Sequence, residues 1–397
     1  MSGLIAWLGR VTVVISIAVG RVGGVNLQPQ KTDPADIALR AARWLDPTSG
    51  QMRGPVAILV SGQKIAKVLP AEAFDERAAR SVIDLKAATL LPGLVDAHVH
   101  LQIGGQPSDN AAAALRAGFT TLVDLGATSD VVLRLRDAIA AGTAEGPRIL
   151  GAGRWVGTKN GICEFGGIGV AGGPENFRER VRENVAAGAD LTKVCVSAWT
   201  PAAFAQPDAY EIKDDALTAV VEESKRSNRM VIAHAISLGS VKAAIRAGVR
   251  GLAHAAYVDT ATAMELREHD MFLVPTIFTL TRTPGPATDA LKASLAAAHR
   301  AGVRLVFGTD GGVLPHGKNA AEFEALVNSG VPPVAAIQAA TTNAAHVLGL
   351  TDAIGSLSEG KVADVIAVHG DPLSDIRAMQ QVVFVMRNGR VVRPLQP

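Results

Sequence analysis

The decapeptide Leu91-Pro92-Gly93-Leu94-Val95-Asp96-Ala97-His98-Val99-His100 ends an apolar run on two alternating imidazoles. In a strand, residues two apart point to the same face. His98 and His100 therefore aim at one spot, where two neutral imidazoles suit a borderline metal such as zinc. One H-x-H is weak by itself, because core histidines also produce it. Four later residues strengthen it: Lys193, His234, His254 and Asp310 each stand at or near the end of a later apolar run. That ordered set reads as a two-metal hydrolytic centre.

Such residues need a frame that brings distant segments together, and a recurring unit supplies one. Arg116-Ala117-Gly118 precedes Phe119-Thr120-Thr121-Leu122-Val123, and the same helix-Gly-strand order returns around Gly188, Gly248 and Gly302. Glycine takes the left-handed conformation just past a helix, and an apolar run then enters the sheet. Repetition of the unit means parallel strands joined by crossover helices. Eight strands are predicted, near 94–100, 119–125, 148–153, 191–197, 230–234, 249–254, 271–276 and 304–309, with helical periodicity between them, as over 174–187 and 214–227. Eight such units close into a (β/α)8 TIM barrel, whose chemistry sits at the C-terminal ends of the strands. All six residues fall at such ends.

The flanks read differently. Residues 56–60 and 64–68 alternate around a polar turn, and residues 363–368 and 382–386 do the same before Arg387-Asn388-Gly389-Arg390. Neither flank suffices for an independent core. They are expected to pair across the chain ends into one small β-sandwich, from residues 36–90 and 355–397, beside a barrel over 91–354.

The chain has 397 residues, a net charge of +2 and scattered basic residues, which argues against a nucleic-acid surface. No apolar run is long and clean enough to span a bilayer securely. Forty glycines and few aromatics suit an α/β enzyme with many tight turns. Two cysteines, Cys163 and Cys195, imply no disulfide framework. Cys195 shares the interior side with Lys193 and reads as core packing, and Cys163 lies in a glycine-rich loop after strand three that could approach a pocket. At the N-terminus, Arg10 precedes an apolar run over 11–19, and Ala18-Val19-Gly20 offers a small-x-small cleavage site. Residues 1–9 are apolar and uncharged, and Arg21 interrupts the run early. Residues 1–30 therefore read either as a signal peptide or as a disordered leader. The expected location is cytoplasmic, or periplasmic or secreted if residues 1–20 direct export.

On Leu91 to His100, Lys193, His234, His254, Gly308-Thr309-Asp310 and the closing Gly355-Ser356-Leu357-Ser358-Glu359-Gly360-Lys361-Val362-Ala363-Asp364, the chain resembles the amidohydrolase superfamily, with its imidazolonepropionase-like and prolidase-like members. The likeness runs from about residue 36 to the C-terminus. It implies two divalent metal ions, zinc above all, held by His98, His100, Lys193, His234, His254 and Asp310. It also implies that Lys193 is N6-carboxylated into a bridge between them. Asp310 would take a proton from the metal-activated water and return it to the leaving nitrogen.

Several positions depart from the dipeptidase pattern. Ile162 stands where such relatives carry histidine after strand three, Ile236 where the rim after strand five carries an aromatic or polar group, and Ala253 where an acid precedes the strand-six histidine. Groups that would grip a zwitterionic dipeptide are thinned out. The expected substrate is a small molecule with an amide C–N bond, an N-acyl amino acid, an aryl amide or a dipeptide, with weight shifted towards the less polar amides and with Arg154, Tyr257 and His316 as candidate anchors beside Ile162 and Ile236. The same centre could instead act on an ester, lactone or carbamate, and a catalytically silent binding barrel is the third alternative. A homo-oligomer is compatible with the sequence.

Overall fold

The computed structural model describes residues 34–198, 206–280 and 286–395. The leader or signal expected over residues 1–30 lies outside them. Seven short strands come first: β1 (Ala35–Ala41), β2 (Arg43–Asp46), β3 (Gln51–Arg53), β4 (Val56–Ser61), β5 (Lys64–Pro70), β6 (Ala79–Asp84) and β7 (Thr89–Pro92). Eight parallel strands follow: β8 (Leu94–Val99), β9 (Phe119–Asp124), β10 (Arg148–Gly151), β11 (Thr192–Cys195), β12 (Val231–Ala235), β13 (Gly251–His254), β14 (Phe272–Val274) and β15 (Arg304–Leu305). The chain closes on β16 (Val365–Val368), β17 (Val382–Arg387) and β18 (Arg390–Arg393).

The protein is an α/β fold built on parallel sheets. Strands β8, β9 and β10 form one sheet, and β11 to β15 form a second in sequence order. Single contacts link the two. Val156 bridges Val194 in parallel on one side. On the other, the Ala97 N–H donates to the Phe307 carbonyl at 2.9 Å, and Val99 bridges Gly311. The connecting helices follow local rules. Asp214–Arg226 opens on two acids and ends on two bases, matching the helix dipole, and buries Leu217, Val220 and Val221 on one face. Leu238–Ala247 is capped by the Ser237 hydroxyl, which accepts from the Ser240 N–H at 3.1 Å, and stops at Gly248 with φ +77°.

The chain ends knit together beneath this core. One sheet runs β5-β4-β1-β6, with the expected β4–β5 hairpin, and another runs β18-β17-β16-β7-β2-β3. Leu39, Ile58 and Leu90 from the N-terminal strands share an apolar cluster with Val365 and Phe384 from the C-terminal ones. This join matters for the chemistry because β7 runs directly into β8 through Gly93. A Cβ there would stand 2.1 Å from the Thr120 hydroxyl, so only glycine permits the approach. The Gly93 N–H also donates to the Asp364 carbonyl at 2.8 Å, tying the strand that carries His98 to the C-terminal flank. No helix among the described residues is long and apolar enough to cross a membrane.

Candidate metal centre

His98 and His100 leave the C-terminal end of β8, Lys193 lies in β11, His234 in β12, His254 ends β13, and Asp310 sits in the turn after β15. All six side chains are buried. The parallel arrangement gathers them at the same end of the strands. His98 Nε2 lies 3.3 Å from His100 Nε2, 3.3 Å from Asp310 Oδ1 and 3.2 Å from Lys193 Nζ, and His100 Nε2 lies 3.3 Å from the same Asp310 oxygen. The His254 ring is 5.1 Å from that of His98 and 4.6 Å from that of His234, centroid to centroid.

Proton placement explains why this cluster fits a cation. His100 Nδ1 is 3.1 Å from the Gly126 carbonyl, which can only accept, so Nδ1 carries a proton, and in the neutral ring Nε2 then presents a lone pair. That lone pair faces a carboxylate and a second imidazole. Such acceptors repel unless positive charge stands between them. Donors on a tetrahedral ion with bonds of about 2.0–2.1 Å lie about 3.3 Å from one another, which is the spacing seen here. On the other flank, His254 Nδ1 is 2.7 Å from the Thr276 hydroxyl.

The residues that support this cluster are buried carboxyls with no distinguishing sequence motif. Asp124 accepts the Leu101 N–H at 2.7 Å and the Gly126 N–H at 3.1 Å, holding the carbonyl that orients His100. Asp96 accepts the Thr309 hydroxyl at 2.6 Å, the Asn319 amide at 2.7 Å and the His98 N–H at 3.1 Å, tying β8 to the Asp310 turn. Glu322 accepts the Ile277 and Phe278 N–H groups at 2.8 and 2.7 Å, immediately after Thr276. Backbone strain collects at the same place. His254, Ala255, Thr276 and Asp310 all adopt positive φ, between +50° and +75°, a conformation uncommon for residues with a side chain and rare for a β-branched one.

Burial dominates the electrostatics. It pushes His98 and His234 well below their usual range and His254 to about 3, so all three imidazoles are neutral and available as ligands. Burial also lowers the Lys193 ammonium to about 7. Asp96 and Asp124 are raised to about 6 and Glu322 to about 8, each chiefly by burial.

A cavity of about 180 Å³ opens over the six residues. Its remaining walls are Ile103, Trp155, Ile162, Phe165, Val313 and the two cysteines. Of the candidate substrate residues, Ile162 is on this wall and four are not. Ile236 is fully buried in the core, with its N–H on the Ser197 hydroxyl. Tyr257 packs against the same core. Arg154 is exposed and pairs with Glu183 at 3.8 Å. His316 lies partly buried behind Gly311. Trp155, Phe165 and Val313 were missed, and their apolar character in loops after strand ends was the available signal. The cysteine expectation needs correction: Cys163 and Cys195 form a disulfide, with Cα atoms 6.2 Å apart. Counting cysteines says nothing about whether two of them meet, and here the loop after β10 folds back onto the end of β11.

Residues 89–392 match the amidohydrolase family. The chain belongs to that family. It is 28% identical to ochratoxinase of Aspergillus niger over 426 aligned positions, covering 91% of this chain and 88% of that protein. Among solved structures, it resembles a Xaa-Pro dipeptidase with bound methionine in the active site (TM-score 0.83, 29% identity, 89% of this chain and 99% of the other). It also resembles the crystal structure of A. niger ochratoxinase (TM-score 0.79, 25% identity, 91% and 96%). The family and these neighbours make the protein a hydrolase acting on C–N bonds.

Proposed function

We propose that this chain is a binuclear metal-dependent amidase acting on N-acyl amino acids or aryl amides, with Asp310 as its proton shuttle. The observation that carries the reading is the convergence of His98, His100, Lys193 and Asp310 donor atoms at 3.2–3.3 Å, with His100 Nδ1 held by the Gly126 carbonyl and Nε2 turned to the centre. We read the eight parallel strands as one closed barrel over 91–354, with residues 36–90 and 355–397 as a β-sandwich beside it.

Two divalent ions, zinc for this donor set, would supply Lewis-acid polarisation and an activated water when bound. His98, His100 and Asp310 would hold one, and His234 and His254 the other. Lys193 would bridge them. Its amine, neutral in part near pH 7, can add carbon dioxide, releasing one proton and leaving a carbamate with two oxygen donors. The Asp310 carboxylate then accepts a proton from water and returns it to the amide nitrogen as the C–N bond breaks. Apart from the ligands, the cavity wall formed by the described residues offers no charged side chain to a substrate, so burying an apolar substituent is favoured there and desolvating an ammonium is not.

The test is a panel of N-acyl amino acids, aryl amides, free dipeptides and matched esters. It is run on the protein as purified, after chelation, and after zinc is restored. Chelator-sensitive, zinc-restored cleavage of N-acyl or aryl amides above dipeptides supports the proposal. A preference for esters moves the centre to the alternative reaction, and activity indifferent to chelation overturns it.

A further inference from the structure

Cys163 and Cys195 are the only cysteines of the chain, and their disulfide lies in the wall of the metal cavity. Cys195 is two residues past Lys193 on β11 and so lies on the same side of the strand. Cys163 belongs to the segment 156–170, which also brings Ile162 and Phe165 to the cavity. This segment contains five glycines, at 157, 161, 166, 167 and 169, a composition that leaves a free loop many conformations. Inside the segment, the Lys159 N–H donates to the Val170 carbonyl at 2.9 Å and the Val170 N–H to the Gly157 carbonyl at 2.8 Å, closing it into a loop. To the rest of the fold it is tied at its start, where Val156 bridges Val194, by the Ile162 N–H, which donates to Glu211 at 2.9 Å, and by Arg180, which reaches the Ile168 carbonyl at 2.6 Å.

The disulfide, Trp155 and the partly buried Ile103, Ile162 and Ile168 form a small apolar cluster of their own, apart from the main core. Phe165, 45% exposed, packs at 4.8 Å on Trp155, whose ring is 5.4 Å from His100. Val313, 53% exposed, stands across the mouth. Five large apolar side chains are conspicuously exposed among the described residues, and these two both rim this cavity. Gly157 presses its backbone against the bridge. A Cβ there would meet those of Cys163 and Cys195 at 3.0 and 3.3 Å.

Building on the amidase reading, we propose that the Cys163–Cys195 disulfide is a recognition clamp. It fixes the Trp155–Phe165 wall against the Lys193 strand and sets the site for amides carrying a flat aromatic group beside the scissile bond. The two cysteines are specificity-positioning residues, acting through Ile162 and Phe165 rather than on the reacting atoms. Breaking the bridge takes two electrons and two protons. A phosphine reductant supplies the electrons and becomes the phosphine oxide, with oxygen from water, leaving two thiols.

The test compares the native protein, the protein after phosphine reduction, and the Cys163→Ala/Cys195→Ala double variant. Substrates are matched amides differing only in an aromatic ring or a methyl group beside the scissile bond. Loss of the clamp should cut the aromatic-over-methyl preference about tenfold, through KM more than kcat, since the ring loses a preformed apolar face. Bound metal per chain should stay as in the native protein. Reduction should reproduce the variant's behaviour and leave the variant itself unaffected. An equal response of the variant to the phosphine would mean that the reductant acts elsewhere and overturns the clamp. Two free thiols in the native protein, under non-reducing purification, would overturn it also. Amide hydrogen exchange gives a readout that needs no turnover. Residues 157–170 should exchange faster without the bridge while β8 and β12 stay protected, and unchanged exchange refutes the clamp. If the native protein cleaves no amide, the amidase reading fails, and exchange still decides the clamp.

Discussion

Glu322 offers a stability experiment whose size follows from the structure. The side chain is fully buried, its two oxygens hold the Ile277 and Phe278 N–H groups, and no cation among the described residues is paired with it. Burial outweighs those hydrogen bonds and raises the carboxyl from 4.5 to about 8. The raised value fixes the sign. Below pH 4.5 the folded and unfolded chains both hold the proton, and Glu322 makes no pH-dependent contribution. Between 4.5 and about 8 only the unfolded chain ionises, so stability is lost steadily as pH rises. Each unit costs about 1.4 kcal/mol, giving a loss on the order of 5 kcal/mol by the time the folded group ionises. Glu322→Gln keeps the shape and one acceptor but cannot ionise. The variant should therefore gain on the native protein as pH rises, being equal or weaker at pH 5 and more stable by several kcal/mol at pH 9. Urea unfolding midpoints of both proteins from pH 5 to 9.5, at fixed metal, measure the difference. A native-minus-variant gap that stays constant with pH would show that Glu322 is not a buried acid with a raised pKa.

Other perturbations address the centre itself. Asp310→Asn should lower kcat by about three orders of magnitude with a smaller change in KM, and near-native turnover with full metal would assign proton transfer elsewhere. Thr276→Val removes the hydroxyl 2.7 Å from His254 Nδ1 and should weaken binding of one metal equivalent about 10–100-fold in chelator competition. Thr276→Ser should restore it, and equal affinities in all three proteins would remove the hydroxyl from any positioning role. Ile162→His places a polar, ionisable group on the cavity wall and should raise the dipeptide-to-N-acyl ratio of kcat/KM about tenfold. An unchanged ratio would mean that this side chain does not face the substrate.

Much of the frame was legible because periodicity and punctuation agree locally. Gly118, Gly188, Gly248 and Gly302 all take the positive φ that their helix-Gly-strand context requires. The eight strands lie within a few residues of the apolar runs that announced them. The flank hairpins were visible for the same reason. What escaped was non-local. That the two flanks pair was expected, but the particular register of β16 on β7, which fastens both chain ends to the His98 strand, spans more than 270 residues and has no local mark. The Cys163–Cys195 bridge depends on how a glycine-rich loop folds back. The strained Thr276 and the buried Glu322 carry no local signature, since threonine and glutamate at such positions read as ordinary turn and helix residues. Arg154, Tyr257, Ile236 and His316 all lie near strand ends in the sequence. Direction of the side chain decides membership of the wall, and near a strand end it can change with each residue.

The central claim is that these six residues hold two divalent ions. Elemental analysis of protein purified without chelators or added metal tests it most directly. The account predicts close to two equivalents per chain, predominantly zinc, falling towards one in His254→Ala. At most trace metal in an active preparation would contradict it, and a single tight equivalent that His254→Ala leaves in place would contradict the second site.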